Sequence, residues 1–285
     1  APEDIPESMQ FNPGKQKVLF DPEHAYFQVG PQFEDLMKNN FNLPEPPKFV
    51  VPEVVKPKED IFKPAKTIKE AEQFIKSKGL AKNVVFKRLN LEGVNTVNKT
   101  LIDLDKKYKN VKMTNLVNNN TWEKELGGKK QRSLMGFSAP KDSFVIFPKS
   151  LKKGAIKESN DYTAKTKKIR PILKTLEAIK APKIVVDLMK TKDNRTWFVG
   201  NKIKDSVTHE IGHKLHLQLG EKKLSELNIL LQQEREKGYT YLLGDYAVTN
   251  NREFFAESFA AYNIDIKRKY VSPKIAEFIE KNLLK

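Results

Sequence analysis

Eleven of the chain's 16 prolines fall within its first 65 residues, among them Pro44, Pro46, Pro47, Pro52, Pro57 and Pro64. Proline fixes φ and removes a backbone donor, so this stretch is denied helix and left with extended or polyproline conformations. The charge divides at the same place: residues 1–65 carry 7 Lys/Arg against 11 Asp/Glu, and residues 66–285 carry 45 against 25. The pattern predicts an extended Pro-rich arm or linker over 1–65 and a folded domain over 66–285. Phe11, Phe20, Tyr26, Phe27, Phe33 and Phe41 make the arm more apolar than a spacer requires, so part of it is expected to dock on the domain or on a partner.

A chain of 285 residues with 39% hydrophobic content can bury a core. Its formal net charge of +16 brings acidic partners into consideration without naming one. With no cysteine there is no disulfide framework, thiolate zinc site, Cys nucleophile or iron–sulfur cluster, and any metal must be held by His, Asp or Glu. No apolar window is long enough for a transmembrane segment. The start, Ala1-Pro2-Glu3-Asp4, lacks the positive flank and apolar stretch of a signal peptide and has no initiator Met, and the location is left open.

Thr67 and Glu70 make a capping-box pair, and Ile68, Ala71, Phe74 and Ile75 follow at helical spacing until Gly79 ends that helix. Val84-Val85-Phe86 reads as a short strand. Val94, Val97, Leu101, Leu104 and Tyr108 mark a longer amphipathic helix, and Val111 to Val117 a further strand. Leu134 to Ala139 and Ser143 to Phe147, joined by Pro140-Lys141-Asp142, form an expected hairpin. Helices are expected around Ile172 to Ile179 and Ile184 to Met189, before a short Trp197-Phe198-Val199 stretch. The fold class is α+β.

Between Lys149 and Arg170 lie eight Lys/Arg and two Asp/Glu, which read as a solvated loop or insertion. Nucleic-acid contact would need interleaved exposed aromatics, and only Tyr162 is available, so nucleic acid is a disfavoured partner.

Asp205 is a good N-cap for a helix containing His209-Glu210-Ile211-Gly212-His213. Two histidines at i and i+4 share a helix face and can reach one zinc ion at about 2.0–2.1 Å. Glu210 can face the open coordination side, take a proton from water there and pass it to a leaving amine. This is HExxH, the zincin signature. The alternative is an ordinary amphipathic helix packed through Val207, Ile211, Leu215 and Leu219. His216 and Leu219 stand where HExxHxxGxxH needs Gly and His, which disfavours that branch and leaves His216 structural or at the surface.

Without cysteine, a third ligand should be a carboxylate from another element. Asn250 can cap a helix through Asn251–Tyr262, on which Glu253 and Glu257 share a face while Phe254, Phe255 and Phe259 anchor the core. Glu253 would complete a His2Glu site, and Glu257 would orient a ligand histidine through its other ring nitrogen. The alternative is a solvated acidic face on a basic protein.

The stretch Tyr246-Ala247-Val248-Thr249-Asn250-Asn251-Arg252-Glu253-Phe254-Phe255-Ala256-Glu257-Ser258-Phe259, following HEIGH, resembles the catalytic domain of the anthrax lethal factor group of zinc proteases, over roughly 205–262. Related domains occur in phage minor head proteins, to which Thr67–Glu72 and Val94–Asn98 are similar. The resemblance implies that His209, His213 and Glu253 bind zinc, that Glu210 is the general base, and that the Tyr246 phenol hydrogen-bonds the oxyanion or the metal water. Tyr239 and Tyr241 lie in the same connection, so singling out Tyr246 rests mainly on the resemblance.

The expected whole is a zincin-like metalloprotease domain, a small mixed sheet plus active-site helices, acting as a zinc endopeptidase on a protein or peptide. A hairpin strand could pair with an extended substrate or be buried sheet. A rival expectation is a phage virion or head-assembly protein carrying an appended metalloprotease-like domain, with a phage particle or host protein as partner. A nucleic-acid binder is the third.

Overall fold

A computed structural model describes residues 62–129, 135–152, 155, 157, 170–191, 196 and 198–285. The expected arm up to residue 61, Leu134, most of the basic segment 149–170 and Trp197 lie outside the described residues.

The helix α1 (Ile68–Ser77) begins where Thr67 Oγ1 accepts from Glu70 N at 3.1 Å, and Glu70 Oε2 reaches back to Lys66 N at 2.8 Å. The return bond thus lands one residue upstream of the cap. Gly79, at φ +64°, adopts the left-handed conformation that turns the chain out of the helix. Strand β1 spans Ala81–Val85, ending earlier than the Val-Val-Phe run suggested. Phe86 N bonds Glu72 Oε1 at 2.6 Å instead of a neighbouring strand, while the Phe86 ring is fully buried. Next come α2 (Leu91–Lys107), β2 (Met113–Asn118) and α3 (Asn119–Lys124).

Strands β3 (Met135–Ser138) and β4 (Ser143–Ile146) form the expected antiparallel pair, with a 3-10 turn at Ala139–Lys141 and Asp142 at φ +41° between them. The sheet is mixed, in the order β1-β2-β4-β3, with β1, β2 and β4 parallel. Its central strand β4 is buried throughout, and β3 is an edge among the described residues. Val84, Leu116, Phe144 and Ile146 join α1 and α2 in the main core. Val117, Val145, Phe147 and Trp122 form a smaller apolar cluster.

The C-terminal half is helical: α4 (Arg170–Ala178), α5 (Lys183–Lys190), α6 (Ile203–Leu217), α7 (Glu221–Glu236), α8 (Tyr239–Leu243), α9 (Asn251–Tyr262), α10 (Asp265–Arg268) and α11 (Pro273–Leu283). The fold is therefore α+β. Helix α6 packs on α2, on β3 and most extensively on α9. Every residue of α9 from Phe254 to Tyr262 is buried, as expected for a helix that is central to a core and not laid on its surface. Tyr108 at the end of α2 packs its ring at a tilt against Phe259, with centroids 4.7 Å apart, and donates to Asn263 Oδ1 at 2.8 Å. No helix among the described residues is long and apolar enough to cross a membrane.

Candidate metal centre

Helix α6 starts at Ile203, so Asp205 sits inside the first turn and is not the N-cap expected of it. Its Oδ2 accepts from Asn201 N and Lys202 N, both at 3.0 Å. A carboxylate in the first turn can satisfy N–H groups upstream of the helix and also lies at the favourable end of its dipole, which is why the position differs from the simple capping rule. Val207, Ile211 and Leu215 are buried as expected; Leu219 is half-buried beyond the helix end.

Asn250 does cap α9, its Oδ1 accepting from Glu253 N at 2.9 Å. Phe254, Phe255 and Phe259 are fully buried and hold α9 against α6. The two helices pack closely at Gly212, where an added Cβ would lie 3.0 Å from Ala256 Cα and 3.2 Å from Phe259 Cβ. The glycine in HEIGH thus lets α9 come near enough for its carboxylates to reach the histidines.

At this crossing Glu253 Oε2 lies 3.2 Å from His209 Nε2 and 2.9 Å from His213 Nε2. His209 and His213 are buried, Glu253 is half-buried, and one donor atom from each lies within 4.8 Å of the others. On its far side, His209 Nδ1 lies 2.8 Å from Glu257 Oε1, and Glu257 Oε2 accepts from Val199 N at 2.6 Å. With the Nδ1–H of His209 facing the carboxylate of Glu257, the lone pair of the neutral ring is on Nε2, toward Glu253 and His213.

Lone pairs facing one another need a cation between them. In the metal-free chain that cation is a proton. Burial disfavours the His209 imidazolium, but the charge of Glu257, hydrogen bonds to Glu253 and Glu257, and the charge of Glu210 outweigh it and raise its pKa to about 10. Burial likewise opposes ionisation of Glu253, yet hydrogen bonds and charge from both histidines hold its carboxyl well below the ordinary range. The trio also fits zinc, since tetrahedral bonds of about 2.0–2.1 Å separate ligand atoms by roughly 3.3 Å.

Glu210 is half-buried and makes no hydrogen bond or ion pair with any described residue, while its charge acts on both His209 and Tyr246. Tyr246 stacks on the His209 ring, with centroids 5.6 Å apart and planes at 24°. Burial raises the pKa of its phenol, helped by the charges of Glu253 and Glu210 and a hydrogen bond with Glu253. The phenol therefore stays protonated and able to donate. All six residues singled out from the sequence, His209, Glu210, His213, Tyr246, Glu253 and Glu257, are brought to one place. Tyr239 is a buried core residue of α8, and Tyr241 is half-buried in the same helix.

Several residues around this centre were not anticipated. Phe198 sets its edge against Tyr246 at 5.3 Å and His209 at 6.3 Å, and the next residue supplies the N–H to Glu257. No sequence signal marks a backbone donor. Lys214 is fully buried and ion-paired to Asp142 across the fold. A signal for it existed, because position 214 is seven after Val207 and lies on the helix's apolar face. His216 is structural: it is buried beside Phe255 at 5.5 Å, and burial with the charges of His213 and Arg252 holds its pKa down to about 4.

No protein-family model, no curated protein and no solved structure matches the chain.

Proposed function

We propose that the protein is a zinc-dependent endopeptidase whose domain over 66–285 is zincin-like. The observation that carries this reading is the convergence of His209 Nε2, His213 Nε2 and Glu253 Oε2, with Glu210 next to His209 on the same helix. Two imidazoles and one carboxylate suit zinc and leave a fourth position open, as in catalytic zinc sites. Bound zinc supplies Lewis acidity, polarising a carbonyl and bringing the pKa of water to about 7.

The protein's own groups account for the remainder of the chemistry. Glu210 accepts the proton of the attacking water at its carboxylate as the new C–O bond forms. It returns that proton to the amide nitrogen as the C–N bond breaks, so acid and amine leave with atoms balanced. Tyr246 donates its phenolic hydrogen to the oxyanion that develops between these steps. Glu257 keeps His209 in the tautomer whose Nε2 faces the metal. Strand β3, an edge of the sheet among the described residues and packed against α6, is the strand along which the main chain of an extended peptide would pair.

The test is elemental analysis combined with cleavage of a mixed peptide library by wild type and Glu210→Gln. One zinc per chain in both, with cleavage only by wild type, is the expected result. A wild-type chain that takes up no zinc after reconstitution overturns the reading.

A further inference from the structure

Lys214 follows His213 by one residue and has no exposed surface. Its Nζ forms an ion pair with Asp142 Oδ1, and the Asp142 side chain remains 35% exposed. Withdrawing an ammonium from water costs more than an ion pair of this kind returns, and an apolar side chain of similar length would serve stability at least as well. Stability is therefore a poor account of this lysine, and its connections supply a better one.

Asp142 occupies the left-handed backbone position between β3 and β4, a conformation Asp and Asn tolerate better than other non-glycine residues. Its Oδ2 accepts from Thr114 N at 2.7 Å and Thr114 Oγ1 at 3.0 Å, and its carbonyl accepts from Asn115 N at 3.1 Å, so it also holds β2. The ring of Phe137 on β3 lies 5.2 Å from the Lys214 ammonium. Gln218, one turn further along, lies beside both Lys214 Nζ and Asn110 O, and its amide satisfies both when its oxygen is turned to the ammonium and its nitrogen to the carbonyl. A single ammonium on the histidine helix thus joins α6 to β2, β3 and the β3–β4 connection.

We propose that the Lys214–Asp142 pair is a positioning device that sets the β3 edge at a fixed distance and angle from the histidine face of α6. A peptide laid along β3 then presents its scissile bond to Glu210. The inference rests on the peptidase reading above. Directional charge pairing does this better than apolar packing, because an apolar contact tolerates sliding whereas the Asp142 carboxylate has both oxygens committed. Lys214 and Asp142 act through β3 and touch no reacting atom.

The chain's lack of cysteine makes the test clean. Spin labels at Ser138→Cys on β3 and Lys204→Cys on α6 report the hairpin-to-helix distance in the full-length protein, in wild-type, Lys214→Met, Lys214→Arg and Lys214→Gln backgrounds. Unlabelled versions are assayed for zinc content, melting temperature, and kcat and KM on a fluorogenic peptide that wild type cleaves. Lys214→Met is expected to keep one zinc and melt within about 3 °C of wild type. It should nevertheless broaden the distance distribution and lower kcat/KM on the order of 10²-fold. Lys214→Arg should restore part of both losses. Should Lys214→Met fail to fold, Lys214→Gln carries the same test, because its amide can still donate to Asp142 without burying a charge, whereas Asp142→Asn leaves the buried ammonium unpaired and is read for melting temperature alone. A narrow distance distribution with unchanged kcat/KM in the folded variant overturns the positioning role, as does a loss of activity that merely tracks a loss of melting temperature. A wild-type chain that binds zinc yet cleaves no library peptide overturns the peptidase reading on which this inference stands.

Discussion

Two buried acidic clusters lie in the helical half of this molecule, and they have opposite characters. At Glu234, 2% exposed on α7, one carboxylate oxygen accepts from Ser272 Oγ at 2.5 Å and the other from Lys237 Nζ at 2.7 Å. Every acceptor there has a hydrogen. At the α6–α9 crossing, two imidazole nitrogens and a carboxylate oxygen meet at comparable distances, three atoms that each offer a lone pair unless a histidine is protonated. The first cluster is complete in itself and ties α7 to the start of α11. The second is complete only with a cation. Burial and acidity alone do not separate a structural carboxylate from a ligating one; the count of hydrogens against lone pairs does.

That contrast can be broken or sharpened by experiment. The largest effect is expected from His213→Ala, which removes one of three donors and should abolish zinc binding, read by elemental analysis after dialysis, while leaving the fold intact by circular dichroism. Glu257→Gln comes next. It retains the shape but loses the charge that raises the pKa of His209, and zinc affinity should fall about 10–100-fold. At pH 8 the wild-type metal-free centre holds a proton on His209, whose pKa is about 10, so zinc binding should release it. Calorimetric titration in buffers of different ionisation heat measures that release, which Glu257→Gln should diminish.

At the complete cluster the expected pattern reverses. Glu234→Ala should leave zinc stoichiometry unchanged and cost about 1–3 kcal/mol in denaturant unfolding, because the buried hydroxyl of Ser272 loses its acceptor. The smallest effect concerns His216, whose folded pKa of about 4 lies below its unfolded value near 6.5. The unfolded chain binds the extra proton, so the stability present above pH 6.5 is lost as pH falls from there through 4. His216→Leu should flatten that acid slope and gain about 1 kcal/mol near pH 5.5. A slope unchanged by the substitution would place the acid sensitivity elsewhere.

The ease with which these features could be read from the sequence follows the range of the forces that make them. Helix α9 was legible to the residue, since Asn250 and the three phenylalanines act within a few positions of one another. The hairpin was legible for the same reason, with Pro140 to Asp142 marking its turn. Helix α6 was displaced because a carboxylate near a helix start can cap from inside or outside, and Asp205 caps from inside. Helices α7 and α11 passed unremarked, although Glu221–Glu236 is among the longest elements described, for its exposed and charged surface weakens the apolar period. Phe198 and the Val199 N–H were invisible, as no side-chain pattern encodes a backbone donor.

What the sequence determined by itself is local chemistry. The four-residue spacings of His209 with His213 and of Glu253 with Glu257 place each pair on one helix face wherever the helices go, because the period of a helix is a property of its backbone. What only the tertiary structure decided is that these two faces, more than forty residues apart in the chain, look at each other. That outcome depends on the missing Cβ of Gly212 and on the buried phenylalanines of α9. Distances between elements are set by how side chains pack and pair across the core, and packing is a property of the whole fold and not of any one segment.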